Sequence, residues 1–227
     1  MTKPRILVLD AQNINALAFV RELGKKGYFV GVVGKSHFSL SFFSNYAIEK
    51  HVINSRQNID RYVKSISNLS RLNDYSMIVP LSLESYKIFS ENRHLLHESV
   101  KIVLPPQKGM HIASNKHKTF NYAKKKGIGI PKTFEVNKKT VKSLSSFIKE
   151  VGFPLVLKGS ISGVDNLRYC NNISDLVLTL KLFLSREKTI ICQEYVVGET
   201  HGFYAYYADG KIQSFFMHQR IKQYPLT

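Results

Sequence analysis

Three stretches of the chain carry residues whose types and spacing suit chemistry on an anion. Lys158 closes the apolar run Phe153-Pro154-Leu155-Val156-Leu157 and is followed by Gly159-Ser160. A lysine at the exit of a buried strand either snorkels its ammonium to water or directs it at something negative. Lys116 opens a helical pattern in Ser114-Asn115-Lys116-His117-Lys118, and Gln193-Glu194-Tyr195-Val196-Val197-Gly198-Glu199 leaves an apolar strand. Each has an ordinary reading when taken alone. A lysine at a helix start is commonly solvated, and a glutamate near a strand exit is commonly a rim charge.

Other stretches look like nucleotide or catalytic motifs and fail on spacing. Gly34-Lys35-Ser36 resembles the end of a P-loop, but the position that needs the first glycine is Phe29, so the segment reads as a strand exit. The first strand-to-helix turn is Asp10-Ala11-Gln12-Asn13, without the glycines of a dinucleotide fingerprint. No GxSxG, HExxH or protein-kinase motif set is present. Cys170 and Cys192 stand far apart with no CxxC, which fits a reducing cytoplasm and gives neither a disulfide framework nor a zinc site.

The elements that must position these residues follow from periodicity. Ile6–Leu9, Phe29–Val33, His51–Ile53, Met77–Val79 and Val100–Leu104 read as strands. Ile14–Leu23, Ile59–Leu69 and Leu83–Asn92 read as helices between them. This alternation predicts a parallel sheet covered by helices on both faces, ending at Pro105-Pro106. Helix Lys116–Lys126, strand Lys132–Val136, helix Val141–Val151 and strand Pro154–Lys158 then follow. Gly159–Asn166 is a loop of small residues. Strand Leu167–Cys170, helix Ser174–Leu184, strand Thr189–Val196 and a hairpin turning at Asp209-Gly210 complete the chain.

With 227 residues, 44% of them hydrophobic, the chain can bury one large core or two small ones. No apolar run approaches the roughly 18 residues of a membrane span, and the opening Met1-Thr2-Lys3-Pro4-Arg5 enters a strand without a signal-peptide pattern. The net charge of +17 would attract polyanions. The basic residues are scattered, however, and the densest run, Lys124-Lys125-Lys126, closes a helix where cations suit the dipole. A solvated basic face is favoured over a nucleic-acid groove.

Taken in order, the pieces resemble the ATP-grasp superfamily, nearest its carboxylate–amine ligase branch related to the large subunit of carbamoyl phosphate synthetase. The opening ILVLDAQNINALAFVRELGKKGYFVGVV and the run SLSFFSNYAIEKHVI are similar to the pre-ATP-grasp domain. SNKHKTF with GIGIPKTF, FPLVLKGSISGVDN, IICQEYVVGE and FFMHQRIKQYP resemble its lysine helix, lysine strand with phosphate-covering loop, hinge strand and His-x-Arg segment. The resemblance implies an α/β chain with a Rossmann-like pre-ATP-grasp domain over 1–106. A lid subdomain would cover 107–197, and 198–227 would begin an incomplete ATP-grasp core.

It further implies that Lys116 and Lys158 meet the phosphates of ATP, where fixed cations neutralise charge during phosphoryl transfer. The backbone of Gln193, Glu194, Tyr195 and Val196 would read the adenine edge. Ser160 and Gly163 would lie in a flap closing over the triphosphate, Glu199 is a candidate for the ribose hydroxyls, and His218 and Arg220 would act near the acyl phosphate. Here the flap has fewer glycines than the pattern, and Thr200 stands beside the ribose candidate.

The implied reaction activates a small carboxylate with ATP for attack by an amine or related nucleophile. The acids that hold Mg²⁺ in this family lie beyond the His-x-Arg segment. The chain is therefore expected to be incomplete for catalysis, a fragment or half of a split enzyme, with apolar surface exposed on its last hairpin. A homo-oligomer and a complementing partner chain both stay open, as does the identity of the carboxylate and nucleophile.

Overall fold

The computed structural model describes residues 3–54, 58–159 and 167–222. The chain divides into two compact units, Met1–Tyr122 and Ala123–Thr227.

The first unit is built on four parallel strands, β1 (Arg5–Val8), β2 (Phe29–Gly34), β3 (Glu49–Val52) and β4 (Tyr75–Val79), in the order β3-β2-β1-β4. The run Ile6-Leu7-Val8-Leu9 is apolar throughout because its alternate residues enter two different cores. Ile6 and Val8 pack with Ala16 and Val20 of α1 (Ile14–Lys25). Leu7 and Leu9 pack with Val63 and Ile66 of α2 (Ile59–Leu72) and Phe89 of α3 (Leu83–Glu91). Burying each such side chain contributes about 1.5–3 kcal/mol. Side-chain caps start two of the helices: Asn58 accepts from the Arg61 N–H at 2.8 Å, and Ser82 from the Ser85 N–H at 3.0 Å.

At the opposite strand ends, Arg5 lies over the Phe29 ring at 3.8 Å and donates to Glu49 at 2.7 Å. The Tyr75 hydroxyl also donates to Glu49. Burial pushes the Glu49 carboxyl up, but the hydrogen bonds from Tyr75 and Arg5 outweigh it and hold the group below its ordinary value. Gly31 is required beneath this cluster, since a Cβ there would sit 1.8 Å from the Tyr75 hydroxyl oxygen.

The Val100–Leu104 segment differs from the expected strand. It touches the sheet through a single parallel bridge, Ile78 to Ile102. Pro105 and Pro106 follow without N–H groups, so the ladder cannot be extended past Leu104. A short helix, α4 (Gln107–Ala113), starts directly after Pro106. Its Gly109 and the absence of a side-chain N-cap bond left no sequence signal for it.

Helix α5 (Lys116–Lys125) contains the division between the units. The second unit carries an antiparallel sheet of β5 (Thr133–Asn137), β6 (Leu155–Gly159), β7 (Leu167–Cys170) and β8 (Thr189–Glu194), ordered β5-β8-β6-β7. Helices α6 (Leu144–Val151) and α7 (Ile173–Arg186) bury Leu144, Phe147, Leu176 and Phe183 against Val136, Leu155, Leu157, Ile190 and Cys192.

Strands β9 (His201–Ala208) and β10 (Lys211–Gln219) form a hairpin. Its turn residues Asp209 and Gly210 both have positive φ, 50° and 74°, as a two-residue turn between twisted strands requires. Phe203, Tyr207, Ile212, Phe215 and Met217 are exposed on one face of the ribbon, and Tyr204, Tyr206 and Phe216 on the other. The expected exposed apolar surface of the hairpin is thus observed.

One buried carboxylate ties the first unit together. Asp10, just past β1 with φ 63°, is 5% exposed. It accepts from the Leu81 N–H at 2.9 Å and from the Ser82 and Ser85 hydroxyls at 2.8 Å each. These bonds join the end of β1 to the turn between β4 and α3, and they offset the roughly 1–2 kcal/mol that a left-handed backbone costs a non-glycine residue. Asp10→Ala strands these donors. Urea unfolding should show a stability loss of about 2–4 kcal/mol; a wild-type midpoint would mean that the network does not hold β1 to α3.

Candidate functional site

Side chains alternate across the second unit's sheet, so register decides which residues share a face. Val136, Leu155, Leu157, Ile190 and Cys192 face α6 and α7. The opposite face carries two rungs across the strands. One runs Thr133, Gln193, Val156, Tyr169; the next runs Glu135, Ile191, Lys158, Leu167. Thr133, Glu135, Lys158 and Gln193 therefore share the face turned away from the helices, while Arg168 and Glu194 fall on the helix side.

Lys158 and Gln193 are diagonal neighbours in this array, a separation that long side chains can span. The Lys158 ammonium donates to Gln193 Oε1 at 2.6 Å. Gln193 Nε2 donates to Thr133 Oγ1 at 2.7 Å, and that hydroxyl donates to the Pro131 carbonyl at 2.6 Å. Gln193 is only 1% exposed. An ammonium can only donate, so the amide oxygen must face Lys158 and the NH₂ must face Thr133. Every donor in the row then points the same way.

Glu194 ends β8 beside this row. Its N–H donates to the Lys132 carbonyl at 3.1 Å, extending the β5–β8 ladder by one step. The Lys132 N–H, which a regular ladder would give to the Glu194 carbonyl, donates instead to the Glu194 carboxylate at 2.7 Å. The side chain thus takes the place of its own backbone as acceptor. Tyr195 and Val196 lie past the strand, both exposed, and the Tyr195 ring meets Tyr169 edge-on at 5.8 Å. Lys132 also pairs with Glu150 at 2.9 Å on the surface.

The remaining expected residues are distributed as follows. Lys116 is the first residue of α5, behind an Asn115 side chain that accepts from the Lys118 N–H at 3.1 Å. A cation at that end opposes the helix dipole, so helix stability does not explain the residue. Lys116 belongs to the first unit, and Lys158, Gln193 and Glu194 to the second. Glu199 pairs with His201 at 3.3 Å on the surface. His218 stacks on Tyr204 with centroids 5.4 Å apart and meets Phe216 at 5.9 Å. Its ring lies across Gly202, where a Cβ would meet it at 2.8 Å. The Arg220 N–H donates to the Thr200 carbonyl at 2.7 Å. Ser160 and Gly163 lie outside the described residues.

Among the described residues, no group of three or more His, Cys, Asp or Glu is placed to hold a metal ion, and no helix is long and apolar enough to cross a membrane. Sequence reasoning missed Thr133 and Lys132 as members of this site. Their partners, Gln193 and Glu194, stand about sixty residues away in sequence (|i−j| of 60 and 62), and only the β5–β8 register joins them.

No family model and no curated protein matches the chain. Solved structures do. An N5-carboxyaminoimidazole synthetase from Staphylococcus aureus complexed with ADP aligns with 97% of this chain and 55% of its own, at TM-score 0.71 and 15% identity. The biotin carboxylase domain of the Hydrogenobacter thermophilus 2-oxoglutarate carboxylase, with MgADP, ADP and bicarbonate, aligns with 88% of this chain and 46% of its own, at TM-score 0.59 and 20% identity. An L-amino acid ligase from Bacillus licheniformis aligns with 89% and 46%, at TM-score 0.63 and 13% identity. The chain therefore has the fold of the ATP-grasp carboxylate–amine ligases, a Rossmann-like unit followed by ATP-grasp elements, as the sequence resemblance implied. It spans about half the length of these solved chains.

The carboxylate of Glu194 has a checkable consequence for this strand end. Glu194→Ala should speed hydrogen exchange of the Lys132 amide by about tenfold, in proportion to a lost charge-assisted bond of order 1.4 kcal/mol or more. Unchanged exchange at Lys132 would show that the backbone carbonyl takes over.

Proposed function

We propose that this chain is the nucleotide-binding part of an ATP-dependent ligase that activates a small carboxylate as an acyl phosphate for attack by an amine or related nucleophile. The observation that carries this reading is the Lys158 ammonium, held by a buried amide on the sheet face turned away from α6 and α7. The fold around it is shared with structures solved as ADP complexes.

In this reading Lys158 contributes a fixed positive charge at the ATP phosphates, and Lys116 a second one. A charge already in position lowers the barrier to phosphoryl transfer because little reorganisation remains at the moment of reaction. The backbone groups of Glu194, Tyr195 and Val196 meet the adenine edge. The diverted Lys132 N–H supports this role, since the ladder no longer claims the Glu194 carbonyl. Ser160 and Gly163 cover the triphosphate, Glu199 meets the ribose, and His218 and Arg220 act near the acyl phosphate. The Tyr204 and Phe216 rings, which hold the imidazole flat, support a positioned His218. Mg²⁺, which the family resemblance implies, would be held by acids that the described residues do not supply.

The exposed apolar hairpin and the half-length alignment favour a second reading of the chain's working form: a nucleotide-binding module, or half of a split enzyme, completed by further polypeptide in the cytoplasm. A nucleic-acid partner has only the charge of +17 in its favour.

Calorimetric titration with ADP tests the nucleotide reading. Lys158→Ala should weaken binding by at least about tenfold, the effect of removing one charge-assisted phosphate contact. Equal affinity for wild type and variant would refute it.

A further inference from the structure

The β5–β8 pair gathers positive charge at the end away from Glu194. The two strands pair there at Asn137 and Thr189, and the residues just beyond that pair are basic on both strands. A groove of about 570 Å³ opens between the turn after β5 and the passage from α7 into β8. Lys138 and Lys139 line it from the first side, Arg186 and Lys188 from the second. All four are exposed, and the ion pairs among the described residues engage none of them. Glu187 is the one acid among the residues that line the groove.

Like charges gathered on neighbouring strand ends repel, and the fold does not ask for all four. The dipole of α7 accounts for Arg186, a cation in its last turn. It does not account for Lys138 and Lys139 on the facing turn. That turn is held by its own hydrogen bonds. Asn137 Oδ1 accepts from the Lys139 and Thr140 N–H groups at 2.9 and 3.1 Å, and the Thr140 hydroxyl donates to the Glu135 carbonyl at 2.7 Å. On the other wall the Glu187 N–H donates to the Phe183 carbonyl at 2.8 Å. Leu184, packed against the core of the unit, adds an apolar stretch to the lining. A cleft with mostly one sign of charge and an apolar wall concentrates its field on whatever enters.

The geometry points to an anion site in this groove, for a compact molecule with three or more negative charges carried by phosphate or carboxylate groups. The groove falls within the range of about 300–1,000 Å³ that small-ligand pockets occupy. Nucleic acid would call for cations spread along a stripe, whereas these four line one cavity. Arg186 adds a planar fork that suits either kind of anionic group. The site stands at the opposite end of β8 from Glu194 and does not depend on the nucleotide reading.

Amide NMR of the 227-residue chain, titrated at low salt with tripolyphosphate and separately with citrate, tests the site. Saturable shift changes should appear together at residues 137–140 and 185–189, and should persist in Lys158→Ala. Lys138→Gln combined with Arg186→Gln should raise the half-saturation concentration at least about tenfold, as the loss of two charge-assisted contacts requires. Both positions are exposed, and the spectrum of the variant itself reports its fold. The probe that saturates first identifies the anionic group as phosphate or carboxylate. No saturable shift at either turn with either probe overturns the site. So does a response that Lys158→Ala removes and the double variant keeps. A short DNA duplex that shifts these amides at lower concentration than both probes overturns the small-anion assignment.

Discussion

A half-buried ammonium in a β-sheet has to be given an acceptor, and the acceptor chosen decides what the charge can do. This chain gives Lys158 the oxygen of a buried amide, which orients the ammonium. The remaining arrangement of the second unit follows from keeping that amide in place. The β5–β8 register sets Thr133 opposite Gln193, and the β6–β8 register brings Lys158 within diagonal reach. Helices α6 and α7 occupy only the other face. A one-residue slip of β8 would turn Gln193 into the apolar core and put Cys192 into the row between Thr133 and Lys158.

The first unit meets a similar demand with a different device. Its strand β1 is apolar on both faces and ends on Asp10, whose carboxylate collects one backbone and two hydroxyl donors from the β4–α3 turn. Here the charge is fully committed to holding strand to helix. The Asp10 carboxylate takes its donors from a turn and a helix start, whereas the Lys158 ammonium takes an acceptor from a neighbouring strand. Net charge does not make this distinction; the partners of each group do.

Much of this was legible in the sequence because it is local. The alternation of apolar runs with helical periods gave the parallel sheet, and Asp209-Gly210 gave the hairpin, since a turn with two positive φ values accepts few residue pairs. Lys158 was visible as a charge out of place at a strand end. The rest was not legible, for identifiable physical reasons. Val100–Leu104 has the composition of a strand but makes one bridge, because the two prolines after it remove the donors a ladder needs. Helix α4 lacks a capping signal. The roles of Thr133 and Lys132 depend on a strand register spanning some sixty residues, which no local pattern encodes.

The central claim is that adenine nucleotide binds on the β6–β8 face that carries Lys158. Hydrogen exchange of the whole chain, compared with and without saturating ADP, tests it most directly, because buried and newly contacted amides are protected locally. Binding at this face predicts protection concentrated at Leu155–Gly159 and at residues 193–196, with α6 and α7 unchanged. Protection confined to the β1 and β2 ends of the first unit, or none at any segment, would contradict it.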